Sequence, residues 1–115
     1  MNQNLQELVI DALEGVKAKD IVTLDVSGLS DVMDTMIVAS GTSNRHVKAL
    51  SDNVTHEAKA AGFQPLGVEG ADRAEWVLVD LGDVVVHIML PATRAFYDLE
   101  KLWSMRPDDA QKEQS

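Results

Sequence analysis

Glu75-Trp-Val-Leu-Val-Asp-Leu-Gly-Asp-Val-Val-Val-His-Ile-Met-Leu90 is the stretch on which the fold turns. Gly82-Asp83 separates two aliphatic, β-branched runs, residues 76–81 and 84–90, as in a hairpin closed by a two-residue turn. With Leu81 opposite Val84, the period of two sorts every side chain onto a face. One face holds Val77, Val79, Leu81, Val84, Val86 and Ile88, all aliphatic, and reads as core. The other holds Trp76, Leu78, Asp80, Val85, His87 and Met89. It is apolar but broken by a carboxylate and an imidazole, the composition of a surface that meets a partner.

Working outward, residues 3–17 place Leu5, Leu8, Val9, Ala12, Leu13 and Val16 at helical spacing. Residues 20–26 read as a strand that stops at Ser27-Gly28, after which Ser30 is a candidate cap for a turn over 31–33. Residues 34–40 are a nearly continuous apolar run suited to a buried strand. Gly41-Thr-Ser-Asn44 breaks it and caps a long helix over 44–61, with Val47, Leu50, Val54, Ala58 and Ala61 as its core stripe and Gly62 as its stop. Residues 63–73, with Pro65, Gly67 and Gly70, read as a short edge strand and a loop. Pro91 opens a final helix, on which Phe96, Leu99, Leu102 and Trp103 form a packing stripe. The expectation is one α/β domain over residues 1–105, a mixed five-stranded sheet with three helices, followed by a flexible polar tail over 106–115. Three helices leave one sheet face incompletely covered, and the Trp76 face is the candidate.

The 115 residues carry 10 Lys and Arg against 19 Asp and Glu, a net charge of −9. No basic face can be assembled for nucleic-acid phosphate or an anionic membrane, whereas a basic protein surface suits the charge. Cysteine is absent, which removes disulfides, thiolate metal sites and thiol catalysis. With no signal-like start and no long apolar run, a cytoplasmic location is expected.

Several constellations compete with plain structural roles. Ser40-Gly-Thr-Ser43 lies between strand and helix, where amides favour anions, but no phosphate-loop or dinucleotide fingerprint accompanies it. A similar turn occurs in nucleotidyltransferases, whose paired metal-binding carboxylates have no counterpart here, since the chain contains no Asp-x-Asp. His46 and His56 lie about 15 Å apart along one helix, too far to share a metal. His87 finds a plausible partner in Asp80 and lacks a nucleophile, so an interface histidine is the favoured reading. No catalytic residue, metal or cofactor is assigned. Phe96, Tyr97 and Trp103 are read as packing residues, while Trp76 is either covered by a second layer or an interface anchor.

Five segments together resemble one family: 20–26, Ile37-Val-Ala-Ser-Gly-Thr-Ser-Asn-Arg-His-Val47, Gly67-Val-Glu-Gly70, 76–88 and Arg94-Ala-Phe-Tyr-Asp-Leu-Glu-Lys-Leu-Trp103. In this order they are similar to the ribosomal silencing factor family, also called Iojap, over about residues 3–103. The resemblance implies a nucleotidyltransferase-like fold without the catalytic carboxylates, a homodimer and no enzymatic activity. It implies a translation repressor that binds the large ribosomal subunit at its fourteenth protein and blocks joining of the small subunit. Little or no direct nucleic-acid contact is expected.

Placed by position, the partner surface comprises Trp76, Leu78, Asp80, Val85, His87 and Met89, extended by Arg94, Tyr97 and Glu100. Arg45 and His46 receive no role. Where the family commonly has aromatics, this chain has Thr35, Met36, Leu81 and Met89. Two alternatives stay open: a metal-dependent phosphate-handling enzyme using residues 41–43 with Asp31, Asp34 and His87, and a bare dimerisation module.

Overall fold

The structure, a computed structural model, describes residues 4–29, 31 and 33–98. α1 (Leu5–Gly15) starts where Asn4 Oδ1 accepts the Gln6 amide at 2.8 Å, and it buries Leu8, Val9, Ala12 and Leu13. Past Gly15 the chain reverses through Lys17 in the left-handed region (φ 63°). β1 (Lys19–Asp25) then pairs antiparallel with β2 (Thr35–Ser40). α2 (Asn44–Ala60) is capped by Ser43, whose Oγ accepts the His46 amide at 3.1 Å, and Gly62 follows it at φ 91°.

β3 (Gly67–Glu69) is the short edge strand, and β4 (Trp76–Asp80) and β5 (Val84–Met89) form the hairpin. The sheet order is β1-β2-β5-β4-β3, with β2 and β5 parallel and the other pairs antiparallel. This is the mixed five-stranded α/β sheet that the sequence predicts. The Leu81 amide donates to the Val84 carbonyl at 2.9 Å, and Trp76 faces Met89, so the hairpin register is also as read.

The parallel pairing of β2 with β5 requires a crossover, and α2 lies within it. Both long helices therefore cover one face, packing against Ile37, Ala39, Val77, Val79, Val86 and Ile88. The opposite face has a smaller cluster, Val26, Met36, Val38 and Met89, flanked by Leu24, Met33 and Trp76.

Three expectations need correction or fall outside the described residues. Ala61 is exposed, because it is the C-cap of α2 and projects past the last core turn. α3 (Pro91–Tyr97) buries none of its side chains, and Phe96 is 80% exposed, so Phe96 is surface and not core. The helix stops as Asp98 turns left-handed (φ 48°). Ser30, Leu99, Glu100, Leu102, Trp103 and the tail at 106–115 lie outside the described residues. No described helix is long and apolar enough to cross a membrane.

Gly41 is where β2 and α2 meet most tightly. A Cβ there would stand 2.7 Å from Val47 Cγ2 and 2.9 Å from the Val47 amide nitrogen, and Val47 is fully buried. Gly41→Ala is expected to destabilise the protein by about 1–3 kcal/mol through this overlap. A lowered urea midpoint at unchanged slope is the readout.

Candidate functional site

Register across β2, β5 and β4 lays three rows over the open face: Met36–Val85–Asp80, Val38–His87–Leu78 and Ser40–Met89–Trp76. Along β4 the residues of this face, Trp76, Leu78 and Asp80, are half-buried, while Val77 and Val79 on the other face are buried. Val85 is also half-buried. Met89 is fully buried and His87 is 6% exposed, so both support this surface from beneath. Burial of the two follows from β5 lying in mid-sheet, between β2 and β4.

Trp76 is held from two sides. Its indole Nε1–H donates to His87 Nδ1 at 2.9 Å, and its ring lies 4.8 Å from that of Tyr97 at a 47° tilt. Phe96 meets Tyr97 edge-on at 4.9 Å. Arg94 anchors this aromatic turn to the sheet, its Nη1 donating to the buried Ser40 Oγ at 2.8 Å. Arg94 and Tyr97 thus adjoin the hairpin face.

Asp80 is engaged differently from the sequence reading. Its Oδ1 accepts the Gly82 amide at 2.9 Å, fastening the hairpin turn, and His87 pairs with Trp76 instead. Two shallow open depressions flank the rows. One of about 300 Å³ is lined by Glu69, Gly70, Trp76 and Leu78, and one of about 270 Å³ by Met33, Leu66, Asp80, Gly82 and Val85. Leu66, 73% exposed, lines the second depression and is not among the residues predicted from sequence, whereas Val68, 40% exposed, pairs with Val79 and so lies on the helix-covered side. An apolar side chain between Pro65 and Gly67 was the available signal.

The Ser-Asn-Arg-His motif turns out to be a junction. His46 Nδ1 accepts the Thr42 amide at 2.9 Å, and its Nε2 lies 2.6 Å from the Val16 carbonyl, to which it donates. That joins the end of α1 to the start of α2. Asn44 Nδ2 donates to the carbonyls of Arg73 and Ala74 at 3.1 and 3.3 Å, gripping the loop before Trp76. In that loop Gly70 (φ 86°) is so close to the Trp76 carbonyl that any Cβ would collide with it. Arg45 is exposed beside this junction.

The same contacts bear on the phosphate-binding alternative. The Gly41 amide donates to the Met89 carbonyl, the Thr42 amide to His46 and the His46 amide to Ser43, so these donors are committed within the fold. Asp34 precedes β2 and Gly41 follows it, which separates them by about 20 Å of extended strand. Residues 41–43 and Asp34 therefore do not converge on one site. Among the described residues, no group of three His, Asp or Glu side chains is placed to hold a metal ion.

Burial lowers the His87 pKa from 6.5 to about 4, and the indole donor requires the same neutral form, with the proton on Nε2. The unfolded chain takes up this proton first. His87 therefore does not affect stability above about pH 6.5, and its stability cost grows as pH falls from there toward about 4. Between pH 7 and pH 5 the loss from this group is about 2 kcal/mol. Urea denaturation at the two pH values should show it in the parent, and His87→Asn should lack that part of the slope.

Comparison with known proteins agrees with this chain over its length. The family described as "Ribosomal silencing factor during starvation" matches residues 1–115. A Chromobacterium violaceum protein named "Ribosomal silencing factor RsfS" is 54% identical over 101 residues, 88% of this chain and 83% of the relative. A crystal structure from Chromobacterium violaceum superposes with a TM-score of 0.86 at 53% identity, covering 90% of this chain and 87% of that one. A mouse protein named "Mitochondrial assembly of ribosomal large subunit protein 1" is 34% identical over 108 residues, 91% of this chain and 47% of its own length. The chain belongs to the ribosomal silencing factor family.

Proposed function

We propose that this protein represses translation by docking on the large ribosomal subunit through the open sheet face and sterically preventing the small subunit from joining. The observation that carries the reading is that face itself. Two long helices cover the opposite side, while Trp76, Leu78 and Val85 remain half-exposed beside Tyr97. Occlusion needs affinity and bulk, and assigns no reaction to any side chain.

The partner in this reading is the fourteenth protein of the large subunit. Trp76, Leu78, Val85 and Tyr97 supply apolar area, and Asp80 supplies charge toward a basic surface. Arg94 holds the aromatic turn, and Glu100, outside the described residues, is assigned to the same surface from its place in the sequence alone. A net charge of −9 suits a basic ribosomal protein better than ribosomal RNA. The names of the relatives, one a silencing factor and one tied to large-subunit assembly, support the ribosome as the place of action.

The reading also takes the protein as cytoplasmic and homodimeric, with a domain through residue 105 and a polar tail beyond it. It takes the fold as nucleotidyltransferase-like without the metal-binding carboxylates. A phosphate-handling enzyme is disfavoured by the committed amides around Gly41 and by their distance from Asp34.

Co-sedimentation with isolated large and small ribosomal subunits tests the proposal. Wild type should pellet with the large subunit alone. Trp76→Ala should weaken that binding about 30-fold or more, as loss of an interface anchor does. Its dimer should persist in sedimentation equilibrium. A variant that loses its dimer, from a parent that binds neither subunit, would instead mark a bare dimerisation module.

A further inference from the structure

We propose that His87 is a positioning residue for Trp76: by taking the indole N–H into the sheet, it presents only the ring's carbon edge to whatever covers the open face. Three observations carry this. The Nε1–His87 Nδ1 bond of 2.9 Å uses the one polar group of the indole. His87 is 6% exposed, so the imidazole acts through Trp76 and offers little surface of its own. Tyr97, 4.8 Å away, and Gly70, under the Trp76 carbonyl, restrict the ring and its backbone on other sides.

The arrangement specifies the partner's chemistry at this point. A free indole N–H asks its partner for a hydrogen-bond acceptor, and burying it without one is costly. With the N–H already satisfied, the matching surface over Trp76 is aliphatic or aromatic carbon. A fixed rotamer also lowers the ordering cost of association. The partner half of this inference rests on the docking proposed above, whereas the positioning half stands on the intramolecular geometry alone.

The test is made on the full chain carrying Trp103→Phe, which leaves Trp76 as its one indole. His87→Leu removes the acceptor and keeps apolar volume. His87→Asn restores an acceptor where Nδ1 stood. The indole N–H resonance of Trp76 should exchange slowly with solvent in the parent and in His87→Asn. It should exchange at least about tenfold faster in His87→Leu, with the fold retained by circular dichroism.

Affinity for isolated large subunits should fall by roughly tenfold in His87→Leu and stay within about threefold in His87→Asn. An indole equally protected in His87→Leu would overturn the positioning role. Equal binding losses in the two variants, with the Asn indole still protected, would overturn it too, by showing that the imidazole itself meets the partner. If the parent does not bind large subunits, the docking proposal fails, and indole exchange still decides the positioning.

Discussion

The parallel pairing of β2 with β5 sets the terms for the rest of the molecule. Hydrogen-bonded side by side in mid-sheet, these strands are apolar on one face, with Ile37, Ala39, Val86 and Ile88, and mostly apolar on the other, where Met36, Val38, Val85 and Met89 surround the polar Ser40 and His87. A parallel pair needs a long connection, and that connection brings α2 onto one face. α1 joins α2 there, and His46 fixes the two helices at their ends through Val16 and Thr42. Among the described residues, what remains for the second face is one short helix held by Arg94 and an aromatic contact. The open surface is thus a product of topology: among the described residues, a sheet largely apolar on both sides has helices packed mainly on one.

Much of this was legible because its signals are local. Gly82-Asp83 closes a hairpin of fixed length, so a single register assignment placed twelve side chains, and Trp76 opposite Met89 and Leu78 opposite His87 follow from it. The stripe Val47, Leu50, Val54 and Ala58 was similarly written in the period of α2. Membership of the family was legible from motifs in the right order, and the whole-chain match agrees.

The partner of His87 was not legible, for a geometric reason. Trp76 and Asp80 stand two residues either side of Leu78, which faces His87, so both are its diagonal neighbours at similar spacing. The short Asp80 side chain turns back to the Gly82 amide, while the long indole reaches across. Likewise the function of His46 depends on Val16, 30 residues away, which no local pattern reveals. Phe96 has the helical spacing of a packing stripe and yet is exposed. In a helix of seven residues the spacing survives without any surface to bury it against.

Asn44 has a consequence for how the molecule opens. Its side chain sits in the first turn of α2 and holds the carbonyls of Arg73 and Ala74, just before β4 begins. Ala74 itself is buried in a left-handed conformation (φ 55°) that needs such support. Fraying of that helical turn breaks both bonds, so the approach to the hairpin, some thirty residues away in sequence, is expected to loosen with it. The start of a helix packed on one side of the sheet is thus tied to the segment that leads into the Trp76 surface on the other.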